Sequence, residues 1–415
     1  MKKVLFLSYY FPPDGNVVSQ IAAKFFKYLP RWGWQPVLLT KQFIYRGTRD
    51  YSYERDIPKN AKKFKALNFE PTSWLPWRLK ALLDERFAVP DDKILWLPFA
   101  TKEALQAIKK EHVNAIFAMA PPWTDLLIGQ KLKQLTGIPL VIWLGDPWID
   151  NPYRLYHHQS RYEREVQLEM GVFQSADYIV LAEFFLESLI QRYPFTKDKA
   201  SVIPHGYDAE DFLLAAASLP QISDRIGDKL FIVYTGSFYG KHSPFPFIAA
   251  LSELLHEHSD IKEKLEARFV GNMTKKILHE IRQDSRLYSV LKYDGVVPHS
   301  VSVQRLLEAD VLLLVIHQVQ KYALTTKLAE YLGSGKPILA IVPLDGVAAK
   351  LVRQTNSGIV VAPEDIQAIK QAILHFYELW QKKSLQPAVN QAIVQQFEIN
   401  LLTQRLAKVL DQVAP

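Results

Sequence analysis

Short apolar runs rich in β-branched residues alternate with amphipathic segments along the whole sequence, and this alternation constrains the fold more than any other feature. Val4–Ser8, Ala115–Met119 and Leu140–Leu144 are such runs in the first half, and Val311–Val315 and Ile338–Ile341 are examples from the second. Continuous apolar strands that are separated by helices are typical of parallel sheets with both faces covered. The sequence therefore predicts an α/β protein built from doubly wound parallel sheets.

The alternation begins twice, which indicates two domains of similar size. Lys3–Ser8 opens the first half and Lys229–Tyr234 opens the second, and a glycine-containing loop and a helical segment follow each run. The length of 415 residues also exceeds what one ordinary core accommodates. We expect two Rossmann-like domains, residues 1–205 and 206–390, that face a central cleft, and a last helix within residues 391–415 that packs back on the first domain. Such sheets bind ligands at the carboxyl ends of their strands.

The composition excludes several classes of protein. With 48% hydrophobic and 22% charged residues, the chain can bury large cores, which excludes a disordered protein. The absence of cysteine excludes disulfides, thiol nucleophiles and thiolate metal sites. No apolar run approaches the roughly 18 residues of a membrane-spanning helix. We therefore expect a cytoplasmic protein without a transmembrane segment.

The formal net charge of +7 arises in the first half of the chain. The segment Arg46–Lys80 holds nine basic and four acidic residues, and aromatic residues that include Trp74 and Trp77 lie between them. One interpretation is a solvated basic face. The other is a docking surface for an anionic partner, such as a membrane or a lipid phosphate. A modest basic excess without a recognition motif argues against nucleic acid as the partner.

Several phosphate-binding and catalytic motifs are absent or misplaced. Gly333-Ser334-Gly335 is the only Gly-x-Gly, and it follows a predicted helix and precedes a predicted strand, which is the reverse of a dinucleotide-binding site. We therefore exclude hydride transfer. No Asp-x-Asp pair occurs, so the sequence offers no obvious carboxylate site for a metal bound to a diphosphate.

The segment Thr325–Leu332 is the strongest candidate for a phosphate site. Thr325 or Thr326 can cap a helix that begins near Lys327, and a capped helix start beside a lysine suits a diphosphate. Glu330 lies one turn further on the same face, where its carboxylate can accept two ribose hydroxyls. The alternative for Lys327 and Glu330 is an ordinary surface ion pair.

Three more predicted strand ends carry loops with glycines or polar residues. Gly236–His242 has two glycines, a lysine and a histidine, which make a second anion cradle. Phe11–Gly15 places a glycine just before a helix, and Trp143–Trp148 places Asp146 at the end of a strand. The alternatives are an ordinary turn for Gly15 and a helix N-cap for Asp146. Together the four loops predict one site at the carboxyl ends of the strands.

The motifs at these loops resemble those of retaining glycosyltransferases of family 4, which have the GT-B fold. The matching segments run in order over nearly the whole chain: Tyr9–Gly15, Tyr28–Pro30, Gly145–Trp148, Asn151–Tyr153, Val202–Asp208, Tyr234–Ser237, Lys327–Leu332 and Gly335–Pro337. The resemblance implies transfer of a sugar from a UDP- or GDP-linked donor, without a metal or another cofactor. The acceptor would be a saccharide or a lipid-linked saccharide in the synthesis of a cell-surface polysaccharide or glycoconjugate.

The resemblance also implies which residues act. Lys241 would neutralise the leaving diphosphate, Gly15 would face it from the first domain, and Asp146 would contact the transferred sugar or the acceptor. Glu330 would hold the ribose hydroxyls. The other members of the nucleotide-sugar site would be Gly236, His242, Gly271, Val297, Thr325, Thr326 and Lys327. The basic, tryptophan-rich region fits an acceptor at a membrane surface and a peripheral enzyme on the inner face of the membrane, with contacts from Trp74, Trp77, Arg78 and Trp148.

Three positions depart from the family pattern. Tyr322 stands where the family usually has a glutamate that contacts the sugar, Ser237 replaces a common arginine, and His205 replaces a common asparagine. The departures at Tyr322 and Ser237 leave open a catalytically degenerate GT-B protein that binds a nucleotide sugar as a scaffold. A nucleotide-sugar epimerase of the same fold is a further alternative, which the family pattern over the full length argues against.

Overall fold

The computed structural model divides the chain into two compact units. Its description covers residues 1–44, 47–70, 75–76, 79–80, 86–151, 154–182, 185–219, 229–238, 242–322 and 324–414. The first unit comprises Met1–His205 together with Ile399–Pro415, and the second comprises Gly206–Glu398. Residues 391–398, which the sequence assigned with the last helix, lie in the second unit.

The first unit is built on a parallel sheet in the order β3-β2-β1-β4-β5-β6-β7. Its strands are β1 Lys2–Leu7, β2 Trp34–Lys41, β3 Lys62–Ala66, β4 Ala115–Ala120, β5 Leu140–Leu144, β6 Tyr178–Leu181 and β7 Ala200–Val202. Every side chain of β4, which reads Ala-Ile-Phe-Ala-Met-Ala, is buried, because helices cover both faces of the sheet. The edge strand β3 instead exposes Lys62, Lys63 and Lys65, which leaves its outer side charged.

The helices of the first unit follow its strands as connections. They are α1 Val17–Tyr28, α2 Leu97–Glu111, α3 Thr124–Thr136, α4 Gln159–Ser175 and α5 Leu186–Arg192. Asn16 caps α1 through its side chain, which accepts a hydrogen bond from the backbone nitrogen of Ser19. Gly137 ends α3 in the left-handed conformation. These signals fix where α1 begins and where α3 ends.

The second unit repeats this architecture with a parallel sheet in the order β10-β9-β8-β11-β12-β13. Its strands are β8 Leu230–Thr235, β9 Leu265–Val270, β10 Leu291–Gly295, β11 Val311–Val315, β12 Ile338–Ile341 and β13 Gly358–Val361. Its helices are α6 Ala209–Ser218, α7 Phe245–Glu257, α8 Lys275–Gln283, α9 Ser285–Val290, α10 His299–Glu308, α11 Thr326–Ser334, α12 Val347–Gln354, α13 Ile366–Gln381 and α14 Gln391–Val394. The prediction of two doubly wound, Rossmann-like parallel sheets is therefore confirmed.

The last helix, α15 Ile399–Val413, belongs to the first unit although the whole second unit precedes it in the chain. Leu402, Leu406 and Leu410 recur at helical spacing, and they are buried in one core with Phe25 of α1. Lys2 of β1 donates a hydrogen bond of 2.6 Å to the carbonyl of residue 414. The first core is thus assembled from both ends of the sequence. Within the described ranges, no helix combines the length and apolar character that crossing a bilayer requires.

Candidate functional site

The start of α11 is fixed at the carboxyl ends of two strands in the second unit. The Thr325 hydroxyl caps the helix by accepting a hydrogen bond from the backbone nitrogen of Leu328 at 3.2 Å. The buried Tyr331 hydroxyl accepts from the nitrogen of Thr235 at 2.9 Å and donates to the carbonyl of Leu313 at 3.2 Å. These bonds tie α11 to β8 and β11. They direct the backbone nitrogens and the positive dipole end of α11, which begins at Thr326, toward the strand ends.

Lys327 lies in the first turn of α11 and packs on an aromatic ring. Its Nζ atom donates to the hydroxyl of Tyr234 and lies 3.9 Å from the centre of that ring. Desolvation lowers the pKa of Lys327 to about 7, although the carboxylate of Glu330 opposes the shift. The ammonium group is therefore held where only part of its charge is compensated, and an anionic ligand would supply the rest.

Two glycines allow close packing beside Lys327: Gly236 approaches its side chain, and Gly271 approaches the backbone of Gly236. Gly236 and Gly271 have φ angles of +128° and +129°, which favour glycine. A Cβ atom on Gly236 would lie 2.7 Å from Cε of Lys327, and one on Gly271 would lie 2.0 Å from the carbonyl oxygen of Gly236. Both predicted site glycines are therefore required by close approach at the ends of β8 and β9.

His242 also contacts the Tyr234 hydroxyl, which accepts the hydrogen bond from Lys327. Its Nε2 atom is 2.9 Å from the Tyr234 hydroxyl. Desolvation, and then the charges of Lys327 and His317, lower the pKa of His242 to about 3. The imidazole is therefore neutral at pH 7 and contributes a hydrogen-bonding group rather than a positive charge. Lys241, the expected main cation, lies outside the described residues.

Glu330 lies one turn beyond Lys327 and is paired with a histidine that the sequence analysis did not single out. Nε2 of His299, the first residue of α10, is 2.7 Å from Oε1 of Glu330. Nδ1 of His299 is 3.9 Å from Oδ2 of Asp211 on α6. The sequence held a signal for His299, because it directly follows the Val297-Pro298 pair at a helix start. The contacts of His299 with Glu330 and Asp211, however, join three segments that are distant in the sequence.

The remaining predicted residues of the second unit have simple environments. Val297 is half-buried and packs against the core that contains Leu328. Tyr322, which replaces the usual glutamate, is 59% exposed. Ser237, which replaces the usual arginine, accepts a hydrogen bond of 3.3 Å from the nitrogen of Asn272 through its hydroxyl.

Gly15 and Asp146 lie at separate strand ends of the first unit. The nitrogen of Gly15 donates to the carbonyl of Thr48 at 2.9 Å, and a Cβ atom there would lie 2.8 Å from Oγ1 of Thr48. Asp146 follows β5 and is half-buried. Burial alone raises the pKa of Asp146, and no charge or hydrogen bond within the described residues contributes to this shift. An unpaired, partly desolvated carboxyl at a strand end suits contact with a polar ligand.

The loop that carries Asp146 is anchored to α4 by buried carboxylates. Trp148 is only 1% exposed, and its indole nitrogen donates to Glu165 at 3.0 Å. Glu169 accepts from the nitrogen of Ile149 at 3.1 Å and from the hydroxyl of Tyr193 at 2.7 Å. Burial raises the pKa of Glu169 to about 7.

The expectation that Trp148 contacts an acceptor or a membrane is wrong, because its ring is buried in the hydrophobic core of the first unit. It stacks on Trp123 with ring centres 6.0 Å apart. Trp74, Trp77 and Arg78, which share that expectation, lie outside the described residues.

A buried polar cluster at the ends of β1 to β3 was not predicted. The Tyr9 hydroxyl donates to Glu70 and accepts from Asn68 at 3.1 Å. Lys93 donates to the other oxygen of Glu70 at 2.8 Å, and all four side chains are buried. Burial and the adjacent carboxylate raise the pKa of Tyr9 far above its usual value. Lys41, also buried, pairs with Asp14 at 3.0 Å.

Asp125, at the start of α3, completes this cluster. Its Oδ2 atom accepts from the nitrogen of Tyr9 at 2.7 Å, and its buried Oδ1 atom has no hydrogen-bond partner in the part of the chain that is described. Burial raises the pKa of Asp125 well above its usual value. The sequence signal was the position of these polar residues at strand ends, which does not distinguish a buried network from a ligand site.

Comparison with known proteins supports the resemblance found in the motifs. Residues 229–378 match the family model for glycosyl transferases group 1. HepE from Anabaena, solved in complex with UDP-glucose, is 16% identical with a TM-score of 0.61, covering 99% of this chain and 100% of that chain. Sucrose-phosphate synthase from Thermosynechococcus elongatus is 16% identical with a TM-score of 0.63, covering 99% of each chain.

WaaG, a glycosyltransferase involved in lipopolysaccharide biosynthesis, is 14% identical with a TM-score of 0.58, covering 100% of this chain and 98% of that chain. At such identities the likeness concerns the fold alone, and it confirms the predicted GT-B fold. A sequence comparison with functionally curated proteins finds no match.

Proposed function

We propose that this chain, a GT-B protein with a glycosyl transferases group 1 segment, is a glycosyltransferase that uses a nucleoside diphosphate sugar. The donor is UDP- or GDP-linked, and the acceptor is a saccharide or a lipid-linked saccharide. The anomeric configuration is retained, and no metal takes part. The product belongs to cell-surface polysaccharide or glycoconjugate synthesis.

The arrangement at the start of α11 carries this proposal. The capped first turn, the helix dipole and Lys327 supply positive potential in one place, which suits a diphosphate. Glu330, one turn further, offers acceptor oxygens for ribose hydroxyls. These fixed groups stabilise the negative charge that develops on the nucleoside diphosphate as it leaves. Lys241 would add a second cation from the loop after β8.

The proposed reaction proceeds on one face of the sugar. The acceptor hydroxyl forms the new bond to the anomeric carbon while the bond to the diphosphate oxygen breaks, and a phosphate oxygen takes the acceptor proton. Such a route needs no strong general base from the protein. Asp146 would orient a hydroxyl of the transferred sugar or the acceptor through a carboxyl whose pKa burial raises.

A donor screen tests the proposal directly. We would incubate the purified chain with UDP- and GDP-sugars, beginning with UDP-glucose because HepE binds it, and measure binding by thermal shift with EDTA present. A ligand at about 100 times its Kd should add roughly 2.7 kcal/mol of stability. Transfer is then measured with radiolabelled donor and a lipid extract as the acceptor source. A metal requirement, or binding of no nucleotide by a folded sample, would contradict the proposal.

The departures at Tyr322 and Ser237 favour a second candidate, a nucleotide-sugar-binding protein without transferase activity. Tyr322 is exposed, and its single neutral phenolic oxygen is a weaker acceptor than the two charged oxygens of a glutamate carboxylate. This candidate predicts nucleotide-sugar binding without transfer to any acceptor and without release of free sugar. The same screen separates the two candidates, because binding and transfer are measured independently.

We further propose that the first unit attaches peripherally to the inner face of an anionic membrane. The exposed lysines of β3 are followed by Leu67 and Phe69, which are 45% and 57% exposed, and Phe43 beside them is 45% exposed. Basic and apolar side chains that share a surface suit a bilayer interface. The test is co-sedimentation with vesicles that contain phosphatidylglycerol, at low and high salt. Equal binding to neutral vesicles would contradict an electrostatic attachment.

A further inference from the structure

The Glu330 carboxylate is the end of a chain of three side chains that runs outward from the interior of the second unit. The side chains of Asp211, His299 and Glu330 are 4%, 9% and 13% exposed. A close hydrogen bond in this series joins Nε2 of His299 to Oε1 of Glu330 at 2.7 Å. An ionised carboxylate accepts but does not donate, so Nε2 carries the proton. The chain therefore ends at a carboxylate whose orientation the histidine fixes.

His299 is itself held in place by the backbone around it. It is the first residue of α10, whose N-cap is Pro298, and the nitrogens of Val301 and Ser302 each donate to the Pro298 carbonyl at 3.0 Å. Its other ring nitrogen faces Asp211 at 3.9 Å, a distance for electrostatic attraction but not for a hydrogen bond. The ring orientation is thus defined by packing and by a carboxylate on each side.

A glutamate that binds two neighbouring hydroxyls needs such support. Its side chain has three rotatable bonds, and fixing these only when the ligand arrives costs conformational entropy. A donor on one carboxylate oxygen removes that freedom beforehand, which favours hydrogen bonds from a diol.

We infer that His299 is the positioning residue that sets Glu330 for the ribose hydroxyls and thereby makes the site selective for ribonucleotides over deoxyribonucleotides. The inference rests on the proposed function, since it requires a nucleotide donor at α11. His299 does not contact the nucleotide in this arrangement. Its effect is confined to hydroxyl recognition through Glu330.

The experiment measures the ratio of two dissociation constants by calorimetry. UDP is compared with 2′-deoxy-UDP and with 3′-deoxy-UDP, and the GDP series is used if GDP binds better. We expect wild-type protein to bind the ribonucleotide about 10- to 100-fold more tightly, as for hydrogen bonds to a charged acceptor. His299→Ala should bring the ratio close to one by weakening the ribonucleotide, with little change for the deoxynucleotides. His299→Gln, which keeps a donor, should restore part of the ratio.

Asp365→Ala serves as the matched control. Asp365 caps α13 in the same unit by accepting from the nitrogen of Ala368 at 2.8 Å, so its removal destabilises the unit without touching Glu330. This variant should keep the wild-type ratio. If His299→Ala weakens all nucleotides equally, or none, the inference fails while the proposed function stands. If folded wild-type protein binds no ribonucleotide, both fail together.

Discussion

Lys327 lies with its Nζ atom 3.9 Å above the ring of Tyr234 and donates to the hydroxyl of the same residue. The contact holds an amine with a pKa of about 7 at the start of a helix. A tyrosine hydroxyl compensates the ammonium charge only in part. A bound diphosphate would therefore interact with a cation that is desolvated but not neutralised, which strengthens the attraction.

Replacing Lys327 with methionine should weaken nucleoside diphosphate binding by about 10- to 100-fold, the range expected for loss of a charge-assisted hydrogen bond. Binding of the corresponding nucleoside, which has no phosphate, should hardly change. Calorimetry on both ligands measures the difference. Lys350→Met, at an exposed position of α12, is the control and should leave both affinities unchanged. Equal loss for nucleoside and nucleotide would refute a phosphate role.

The wild-type affinity for a nucleoside diphosphate should fall as the pH rises above 7. The free amine titrates at about 7, and bound phosphates raise that pKa, so binding takes up a proton between the two values. Affinity is then greatest below pH 7 and decreases as the solution becomes more basic. Calorimetry in two buffers with different ionisation enthalpies measures the proton uptake at pH 8. Lys327→Met should abolish the uptake, and an unchanged uptake in that variant would assign it to another group.

Gly271→Ala should destabilise the second unit by about 3 kcal/mol, because the new Cβ atom would lie 2.0 Å from a backbone oxygen that cannot move aside. Gly335→Ala is a matched control. Its φ angle of +69° also disfavours alanine, but no atom lies within 4 Å of the new Cβ, so the cost should be about 1 kcal/mol. Urea unfolding of the wild type and the two variants measures the two losses of stability. Equal losses would show that the backbone around the new Cβ atom of residue 271 relaxes.

Lys93→Met should destabilise the first unit by about 3–5 kcal/mol, since it leaves the buried Glu70 carboxylate without its cation. Lys2→Met removes the more exposed pair with Asp411, in which the two side chains are 36% and 56% exposed, together with the hydrogen bond to the carbonyl of residue 414. That loss should stay within about 2 kcal/mol. Thermal unfolding compares the two, and a small loss at Lys93 would mean that water reaches Glu70.

Between pH 5 and pH 8, the free energy of unfolding of the first unit should fall less in Glu169→Gln than in the wild type. The folded pKa of about 7 lies above the value for an exposed glutamate. The folded state therefore binds the extra proton, and wild-type stability is lost as the pH rises through about 7. Glutamine has no such titration. The unfolding free energies of the wild type and the variant, measured across pH, differ by the contribution of Glu169. Parallel pH dependences would show that Glu169 does not change its protonation on unfolding.

The sequence predicted the fold well because its strands are written as continuous apolar runs. The runs at β4, β5 and β11 identified buried parallel strands without further information. Thr325, Lys327 and Glu330 were found because they lie within six consecutive residues at the start of one helix. His299 was not, because its contact with Glu330 joins segments 31 residues apart.

Trp148 shows the opposite error. The family resemblance assigned Trp148 to an acceptor or membrane contact, but the sequence does not say toward which side a loop residue points. Glu165 of α4 binds its indole nitrogen from within the core, and this partner is on another element. The polar cluster around Tyr9 was missed for the same reason, because single buried ion pairs leave no periodic pattern.

The return of α15 to the first unit has a consequence for synthesis of the protein on the ribosome. Leu402, Leu406, Leu410 and the other buried residues of 399–414 complete a core whose remaining buried members lie between Val4 and Ile203, yet they are translated only after the entire second unit. The second unit is contiguous in sequence and can close its core during translation. In the first unit, an apolar face of α1 stays uncovered until α15 has been synthesised. The first unit is therefore translated earlier than the second but completes its folding later.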